Sequence, residues 1–157
     1  MKIATLALIV RKNTVLLGFR QGKPEIGDGK LNAPGGKIEP GETVLECLVR
    51  ETQEEVGIEL DPRRVEEVAV IIFYAGGVPN FEVHVFRTET FAGEPHETAS
   101  MCGLYWYPIE DLDDLREDMH ESDLRWMPQA IRGRKFRADV FYDRPGEGFR
   151  DIKFFPY

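Results

Sequence analysis

The segment that most restricts the fold lies between residues 22 and 57, where a glycine-rich stretch leads directly into a capped helix. Residues 22–41 hold six glycines and three prolines. Such a composition predicts a long loop, and long loops in compact domains tend to be functional. Thr43, with a glutamate three residues later, forms a capping box, and Gly57 is suited to end a helix. We therefore predict a helix over 43–57.

This helix has an apolar face and an acidic arc. The face is apolar apart from one threonine and consists of Leu45, Leu48, Val49, Thr52 and Val56. Glu51, Glu54 and Glu55 occupy an arc of about 100°, and Arg50 is angled away from its centre. Such an arc is most often a solvated acidic face. Beside a glycine loop that a ligand can approach closely, the same three carboxylates also suit a hard cation such as Mg²⁺.

The rest of the pattern predicts one α/β domain over residues 1–157, with a mixed β-sheet sandwiched between α-helices. A turn or helix is expected at 109–115 and a second helix at 122–132. The aromatic tail, 149–157, is expected to dock as a strand. The other predicted strands, the first of them buried rather than a signal peptide, lie at 3–10, 14–19, 66–75, 81–89, 104–108 and 136–142.

Charge and cysteine content exclude several classes of protein. The net charge of −8 argues against a nucleic acid polymer as partner, because binding a phosphate backbone needs clustered Lys and Arg. No apolar run approaches the roughly 20 residues that a membrane span needs. Cys47 and Cys102 lie in no metal or disulfide motif. We therefore expect a cytoplasmic monomer or homodimer whose partner is a small molecule.

The loop and helix contain one extended motif. It is Gly36-x5-Glu42-x7-Arg50-Glu51-Thr52-x-Glu54-Glu55-x-Gly57-Ile58. This resembles the Nudix box, G-x5-E-x7-R-E-U-x-E-E-x-G-U, where U is a bulky aliphatic residue. Every charged and glycine position is met, and Thr52 departs from the aliphatic pattern. The resemblance implies the Nudix fold and hydrolysis of a diphosphate linkage in a nucleotide-type substrate, with Mg²⁺ or Mn²⁺ as cofactor.

The resemblance also implies roles for individual residues. The implied metal ligands are the carbonyl of Gly35 and the carboxylates of Glu51, Glu54 and Glu55. Arg50 would orient these glutamates through charge-assisted bonds. The implied catalytic residues are Glu54, Arg50, Glu97 and Glu42. Glu42 would pair at the loop–helix junction or act through water, and Glu97 is a metal ligand, a general base or a solvated loop acid.

Outside the box, the chain more loosely resembles the MutT-type members that remove oxidised purine nucleoside triphosphates. Asn32 and Asp123 match positions that bond the purine. Ser122 replaces a second acid and His120 a stacking Trp, and both are alternatively residues of a surface loop. The two lysines among the expected substrate-binding residues would meet phosphates, or else are solvated. That set is Asn32, Lys23, Lys37, Phe73, Phe81, His120, Asp123 and Trp126.

The leading functional expectation is a nucleoside triphosphate diphosphatase that releases a monophosphate and pyrophosphate. Its substrates would be oxidised purine nucleotides such as 8-oxo-dGTP, which places it in DNA repair. The first alternative keeps the chemistry and changes the substrate to dinucleoside polyphosphates, nucleotide sugars or ADP-ribose. The second is a non-catalytic nucleotide-binding regulator, against which the intact glutamates and Arg50 count. The third is a purely structural acidic helix.

Overall fold

The computed structural model describes residues 1–22 and 29–157. Lys23, which is predicted to meet phosphates or to be solvated, therefore lies outside the described residues. The described chain forms nine strands, two α-helices and one 3-10 helix (Ile109–Leu115). The labelled elements are β1 (Lys2–Arg11), β2 (Thr14–Arg20), β3 (Leu31–Asn32), β4 (Gly35–Lys37), α1 (Val44–Val56), β5 (Glu66–Ala75), β6 (Val78–Thr88), β7 (Met101–Pro108), α2 (Glu121–Ile131), β8 (Phe136–Arg144) and β9 (Glu147–Phe155).

The strands form one mixed sheet in the order β3-β2-β1-β6-β5-β8-β9, to which β4 adds beside β1 and β7 beside β2. The pairs β1–β6 and β5–β8 are parallel, and the other pairs are antiparallel. The aromatic tail docks on β8 as β9, as its composition predicts. The mixed sheet expected from the irregular alternation of strand and helix patterns is confirmed.

Strand β1 shows why the sheet carries a helix on each face. Its alternate side chains enter two different cores, with Leu8 in one and Ile9 in the other. The core around Leu8 includes Trp126 and Met127 of α2. The core around Ile9 includes Leu48 of α1. The predicted sandwich of one sheet between helices is therefore confirmed.

The segment 22–41 differs from the predicted loop, because two short strands lie within it. β4 pairs with β1, with Gly35 opposite Leu6, and β3 pairs with β2, with Asn32 opposite Gly18. These partners are distant in sequence, so glycine and proline content alone could not reveal them. As a result, the glycines before α1 are fixed against the central sheet.

The two predicted exclusions can also be compared with the structure. Of the helices in residues 1–22 and 29–157, none is long and apolar enough to cross a membrane. Cys47 and Cys102 are free thiols. Burial raises the pKa of Cys47 to about 11, so this thiol is protonated and unreactive at neutral pH.

Candidate active site

Helix α1 is capped as its sequence predicts. The Oγ1 of Thr43 accepts a hydrogen bond from the amide of Glu46 at 3.1 Å. Gly57 adopts the left-handed conformation with φ of 73° and donates its amide hydrogen to the carbonyl of Gln53. Both ends of the helix are therefore fixed by local chemistry, which also fixes the direction of its glutamates.

The buried face of α1 agrees only in part with the one that apolar spacing predicts. Leu48, Thr52 and Val56 are buried as predicted, but Leu45 is exposed at 38%, whereas Glu51 and Glu55 are buried at 6% and 1%. The reason is that α1 packs against the glycine strand β4 as well as against the sheet. Two members of the predicted acidic arc therefore face protein rather than solvent, and only Glu54 is widely exposed.

Arg50 lies at the centre of the glutamates, which corrects the expectation that it is angled away from them. Its guanidinium donates to both oxygens of Glu42, at 2.6 and 2.9 Å. Its Nη1 also donates to Glu51 at 3.0 Å and to Glu54 at 3.2 Å. The bond from Arg50 lowers the pKa of Glu42 to about 2, so Glu42 stays ionised. We call Glu42, Glu51, Glu54 and Glu55 the carboxylate cluster.

The two glycines of β4 allow the cluster to lie against the backbone. A Cβ at Gly36 would collide with the carboxylate of Glu51, and a Cβ at Gly35 would collide with the carbonyl of Thr5. The amide of Gly35 also donates to Oε1 of Glu55 at 2.7 Å. This agrees with the prediction that the glycines permit close approach, although the first group to approach is a carboxylate of the protein itself.

Arg20, at the end of β2, is a part of the site that sequence reasoning missed. Its side chain is fully buried, and its Nη1 donates to Glu55 Oε2 at 3.1 Å and to the carbonyl of Gly35 at 3.0 Å. Its Nη2 donates to the carbonyl of Ala33 at 2.6 Å. The available signal was an arginine closing an apolar strand directly before the glycine-rich segment.

The donor set of the cluster fits a hard divalent cation. Glu51, Glu54, Glu55 and the carbonyl of Gly35 offer only oxygen atoms, which Mg²⁺ and Mn²⁺ prefer. The space that a Cβ at Gly36 would fill is taken by a carboxylate. Within residues 1–22 and 29–157, no group of three acidic, histidine or cysteine side chains has the spacing to hold a metal ion in this arrangement. The positive charge beside these carboxylates is provided by Arg20 and Arg50.

Glu97 stands apart from the carboxylate cluster. Its side chain is exposed, and its Oε1 accepts a hydrogen bond from the amide of Gly103 at 2.8 Å. The neighbouring Thr98 donates its hydroxyl to the carbonyl of Glu55 at 2.8 Å, which ties this loop to the end of α1. Glu97 therefore lies on a loop next to the end of α1, with its carboxylate bonded to the backbone of β7.

A cavity of about 240 Å³ opens on the other side of β1. It brings together residues from β3, β5, β6 and α2, which are far apart in sequence. Five of the predicted substrate-binding residues line it: Asn32, Phe73, Phe81, His120 and Asp123. Lys30 and Tyr142 line it too, and sequence reasoning missed both.

The polar wall of this cavity is built around Asp123, which is 3% exposed. Its Oδ1 accepts a hydrogen bond from Nε1 of Trp126 at 3.0 Å. Burial raises the pKa of Asp123, which favours the neutral carboxyl. Beside it, the hydroxyls of Ser122 and Tyr142 are 2.8 Å apart. The wall therefore offers hydrogen-bonding groups with little fixed charge.

Trp126 and Lys37 are the two predicted substrate-binding residues of the described chain that do not line the cavity. Trp126 is fully buried in the core, so the structure gives no support to its predicted contact with substrate. Its indole Nε1 instead donates a hydrogen bond to Oδ1 of Asp123. Lys37 is exposed on β4, and its carbonyl accepts a hydrogen bond from Arg50 at 3.2 Å. His120 lies at the rim of the cavity and packs edge-on against Tyr142.

Known proteins resemble this chain in sequence and in fold. A model of the NUDIX domain matches residues 1–130. The oxidized purine nucleoside triphosphate hydrolases of Danio rerio and Mus musculus are 33% and 31% identical to it over 136 residues. Each alignment covers 86% of this chain and 83% of the relative.

The fold agrees with that match. The crystal structure of a MutT protein from Bacillus halodurans superposes with a TM-score of 0.78, covering 100% of this chain and 99% of that one. Since its sequence is only 22% identical, it shows the shared fold alone. The domain match ends before β8, so Tyr142 and the 145–147 side of the cavity lie beyond it.

Proposed function

This chain belongs to the Nudix hydrolase family, and on that premise we propose that it hydrolyses purine nucleoside triphosphates to a monophosphate and pyrophosphate. Oxidised purine nucleotides such as 8-oxo-dGTP are its preferred substrates in this proposal. Two curated relatives, each about a third identical, carry the name oxidized purine nucleoside triphosphate hydrolase. The resulting role is to clear damaged nucleotides before they enter DNA.

The observation that carries this proposal is the short connection between the cavity and the carboxylate cluster. Thr5 and Leu6 of β1 line the cavity. The same two residues pair directly with Gly36 and Gly35, the glycines against which the glutamates lie. The cavity and the cluster are therefore separated only by this strand pair, and we infer that one nucleotide can reach both.

The size of the cavity suits one part of a nucleotide. Pockets that enclose whole small ligands measure roughly 300–1,000 Å³. The cavity, at about 240 Å³, is below that range. It fits a base whose triphosphate extends outside toward the glutamates. Phe73 and Phe81 provide apolar surface, and Asn32 and Asp123 provide hydrogen bonds to base edges.

The chemistry of the cluster suits attack by water on a diphosphate linkage. Family members generally require a divalent metal, usually Mg²⁺. Glu51, Glu54, Glu55 and the carbonyl of Gly35 would hold it. When bound, this ion neutralises phosphate charge and makes water a better nucleophile. Glu54 is the glutamate of the cluster best placed to accept the proton of the attacking water, because it is 59% exposed and tethered by Arg50.

In the proposed reaction, the oxygen of water attacks one phosphorus of the bridge between the α- and β-phosphates, and the bond from that phosphorus to the bridging oxygen breaks. Attack at the α-phosphorus expels pyrophosphate, and attack at the β-phosphorus expels the nucleoside monophosphate, so both give the same two products. Arg50 keeps Glu42, Glu51 and Glu54 in fixed positions through its hydrogen bonds. Glu97 is a second candidate for the proton acceptor if its loop turns toward the cluster.

The test is a panel of nucleotides with Mg²⁺ in which pyrophosphate and phosphate release are measured separately. We expect pyrophosphate from triphosphates, with a higher kcat/KM for 8-oxo-dGTP than for dGTP. Turnover of ADP-ribose, dinucleoside polyphosphates or nucleotide sugars alone would overturn the proposed substrate while leaving the cluster chemistry intact. Nucleotide binding without any turnover would indicate a regulator.

A further inference from the structure

Arg20 holds the same protein groups that the family resemblance assigns to a metal. Its Nη1 donates to the carbonyl of Gly35 at 3.0 Å and to Oε2 of Glu55 at 3.1 Å. Glu55 is also fixed by the amide of Gly35, at 2.7 Å from Oε1. One guanidinium nitrogen thus lies between a backbone carbonyl and a carboxylate, both of them potential ligands of a divalent cation.

These two oxygens cannot serve both cations in this arrangement. Mg²⁺ binds oxygen at about 2.0–2.1 Å. An ion that bridges the carbonyl of Gly35 and the carboxylate of Glu55 would occupy the space of Nη1 of Arg20, which is about 3 Å from each oxygen. Two positive charges at such close range in a buried site also repel strongly. Either the arginine or the ion occupies this position at any time.

Within the described part of the chain, the Nη groups of Arg20 have hydrogen-bond acceptors and its Nε has none. The Nη groups donate to Glu55, Gly35 and Ala33. Among the described residues, none accepts a hydrogen bond from its buried Nε. A buried donor without an acceptor costs free energy. If Arg20 leaves Gly35, it loses the hydrogen bonds of its Nη groups, but its Nε has no hydrogen bond to lose.

We propose that Arg20 is the internal counter-cation of the metal site, and that a divalent ion binds Glu55 and Gly35 by displacing its guanidinium. In the metal-free protein, Arg20 keeps the buried carboxylate neutralised and in position. This inference rests on the proposed metal-dependent function. It concerns the order of events before any substrate binds.

The first test measures Mn²⁺ affinity by electron paramagnetic resonance, without nucleotide, in the wild type and in Arg20→Met. Methionine keeps much of the length of the side chain and removes its charge. We expect Mn²⁺ to bind about tenfold or more tightly to the variant. The melting temperature in EDTA should fall, because Glu55 then lacks its partner. If Arg20 were purely structural, its replacement would lower both the Mn²⁺ affinity and the melting temperature. Unchanged or weaker Mn²⁺ binding would therefore overturn the proposal.

Arg87→Met is the matched control, because Arg87 is partly buried and, like Arg20, donates to a backbone carbonyl, that of Ile131. It should leave Mn²⁺ affinity unchanged. If the wild type itself binds no Mn²⁺, the proposed metal-dependent function fails. If the wild type binds Mn²⁺ and Arg20→Met does not bind it more tightly, only the role of Arg20 fails.

The second test uses the wild-type protein alone, so it holds even if the variant does not fold. Mg²⁺ is titrated into ¹⁵N-arginine-labelled protein, and the guanidinium resonances of Arg20 are followed by NMR. We expect the Nη protons to be slow to exchange without metal and to shift and exchange faster as the site fills. Resonances that stay fixed while Mg²⁺ binds would show that Arg20 is not displaced.

Discussion

Glu42 of the carboxylate cluster and Asp123 of the cavity wall have pKa values shifted in opposite directions. In the cluster, hydrogen bonds from Arg50 lower the pKa of Glu42 to about 2, so this acid is held as an anion. In the cavity, burial raises the pKa of Asp123 and favours its neutral form. The first environment suits cations and phosphate chemistry. The second suits an uncharged base that accepts a hydrogen bond from a carboxyl group.

This contrast predicts that changes in the cluster act on every substrate alike, whereas changes in the cavity alter the choice among substrates. In the proposed binding mode, the cluster would contact the phosphates that all nucleoside triphosphates share, and the cavity would contact the base, in which they differ. Four experiments test this division.

The largest effect is expected from Glu54→Gln, which removes one charge from the cluster and leaves its shape unchanged. We expect kcat to fall by about 10²–10⁴-fold for both dGTP and 8-oxo-dGTP. The melting temperature should be retained, because Glu54 is 59% exposed. Steady-state kinetics and thermal unfolding measure both. Glu59→Gln, an exposed glutamate just beyond α1, is the control. Near wild-type turnover in Glu54→Gln would contradict the assignment.

Gly36→Ala tests whether the fit of the cluster against β4 matters. The added Cβ would collide with the carboxylate of Glu51 and displace it. Since misplacing a reacting group by about 1 Å can cost about 10²-fold, we expect a loss of that order in kcat/KM for both nucleotides.

Gly41→Ala is the control for that experiment. Gly41 has a φ of 80° and nothing within 4 Å of a Cβ, so its alanine adds backbone strain of about 1 kcal/mol without a collision. It should lower the melting temperature and keep turnover. If the two alanine variants lose the same activity, the cluster does not depend on Gly36.

The two regions also differ in how far sequence predicts them. The cluster comes mainly from one continuous segment, so its motif, the caps of α1 and the closeness of the glycines could be predicted. Arg20, which holds Glu55 of the cluster, could not be predicted in this way, because its partners Gly35 and Glu55 lie on other elements. β3 and β4 were missed for the same reason, because they exist through pairing with β2 and β1.

The cavity was predicted residue by residue only where a family resemblance supplied the position. Asn32 and Asp123 were found in this way, and both line it. Trp126 was taken from the same resemblance, yet its side chain is fully buried behind Asp123, to which it donates a hydrogen bond. Tyr142, 19 residues beyond Asp123, reaches the cavity through β8 and has no local signal at all.

A moderate effect, on selectivity, is expected from Asp123→Asn. The substitution keeps the shape of the side chain and replaces a carboxyl group by an amide in the cavity wall. Changing one specific buried hydrogen bond alters discrimination by about 10-fold or more. We expect the ratio of kcat/KM for 8-oxo-dGTP over dGTP to change by that factor, with less change in kcat. Asp114→Asn, on an exposed residue, is the control. A ratio equal to that of the wild type would remove Asp123 from base recognition.

The smallest effect concerns stability against pH, where the two regions should respond with opposite signs. Because folding raises the pKa of Asp123, its contribution to stability is fully present below its ordinary value of 3.8 and is lost as pH rises through the folded-state pKa. Because folding lowers the pKa of Glu42 from 4.5 to about 2, its contribution is present above pH 4.5 and is lost as pH falls toward 2.

Urea unfolding of the wild type, Asp123→Asn and Glu42→Gln across this pH range measures both contributions. Relative to Asp123→Asn, the wild type should lose stability as pH rises. Relative to Glu42→Gln, it should lose stability as pH falls below 4.5. If the wild type instead gained stability over Asp123→Asn as pH rises, folding would lower the pKa of Asp123, as it does for Glu42. The base would then meet a carboxylate anion, and recognition through a donated carboxyl hydrogen would be ruled out.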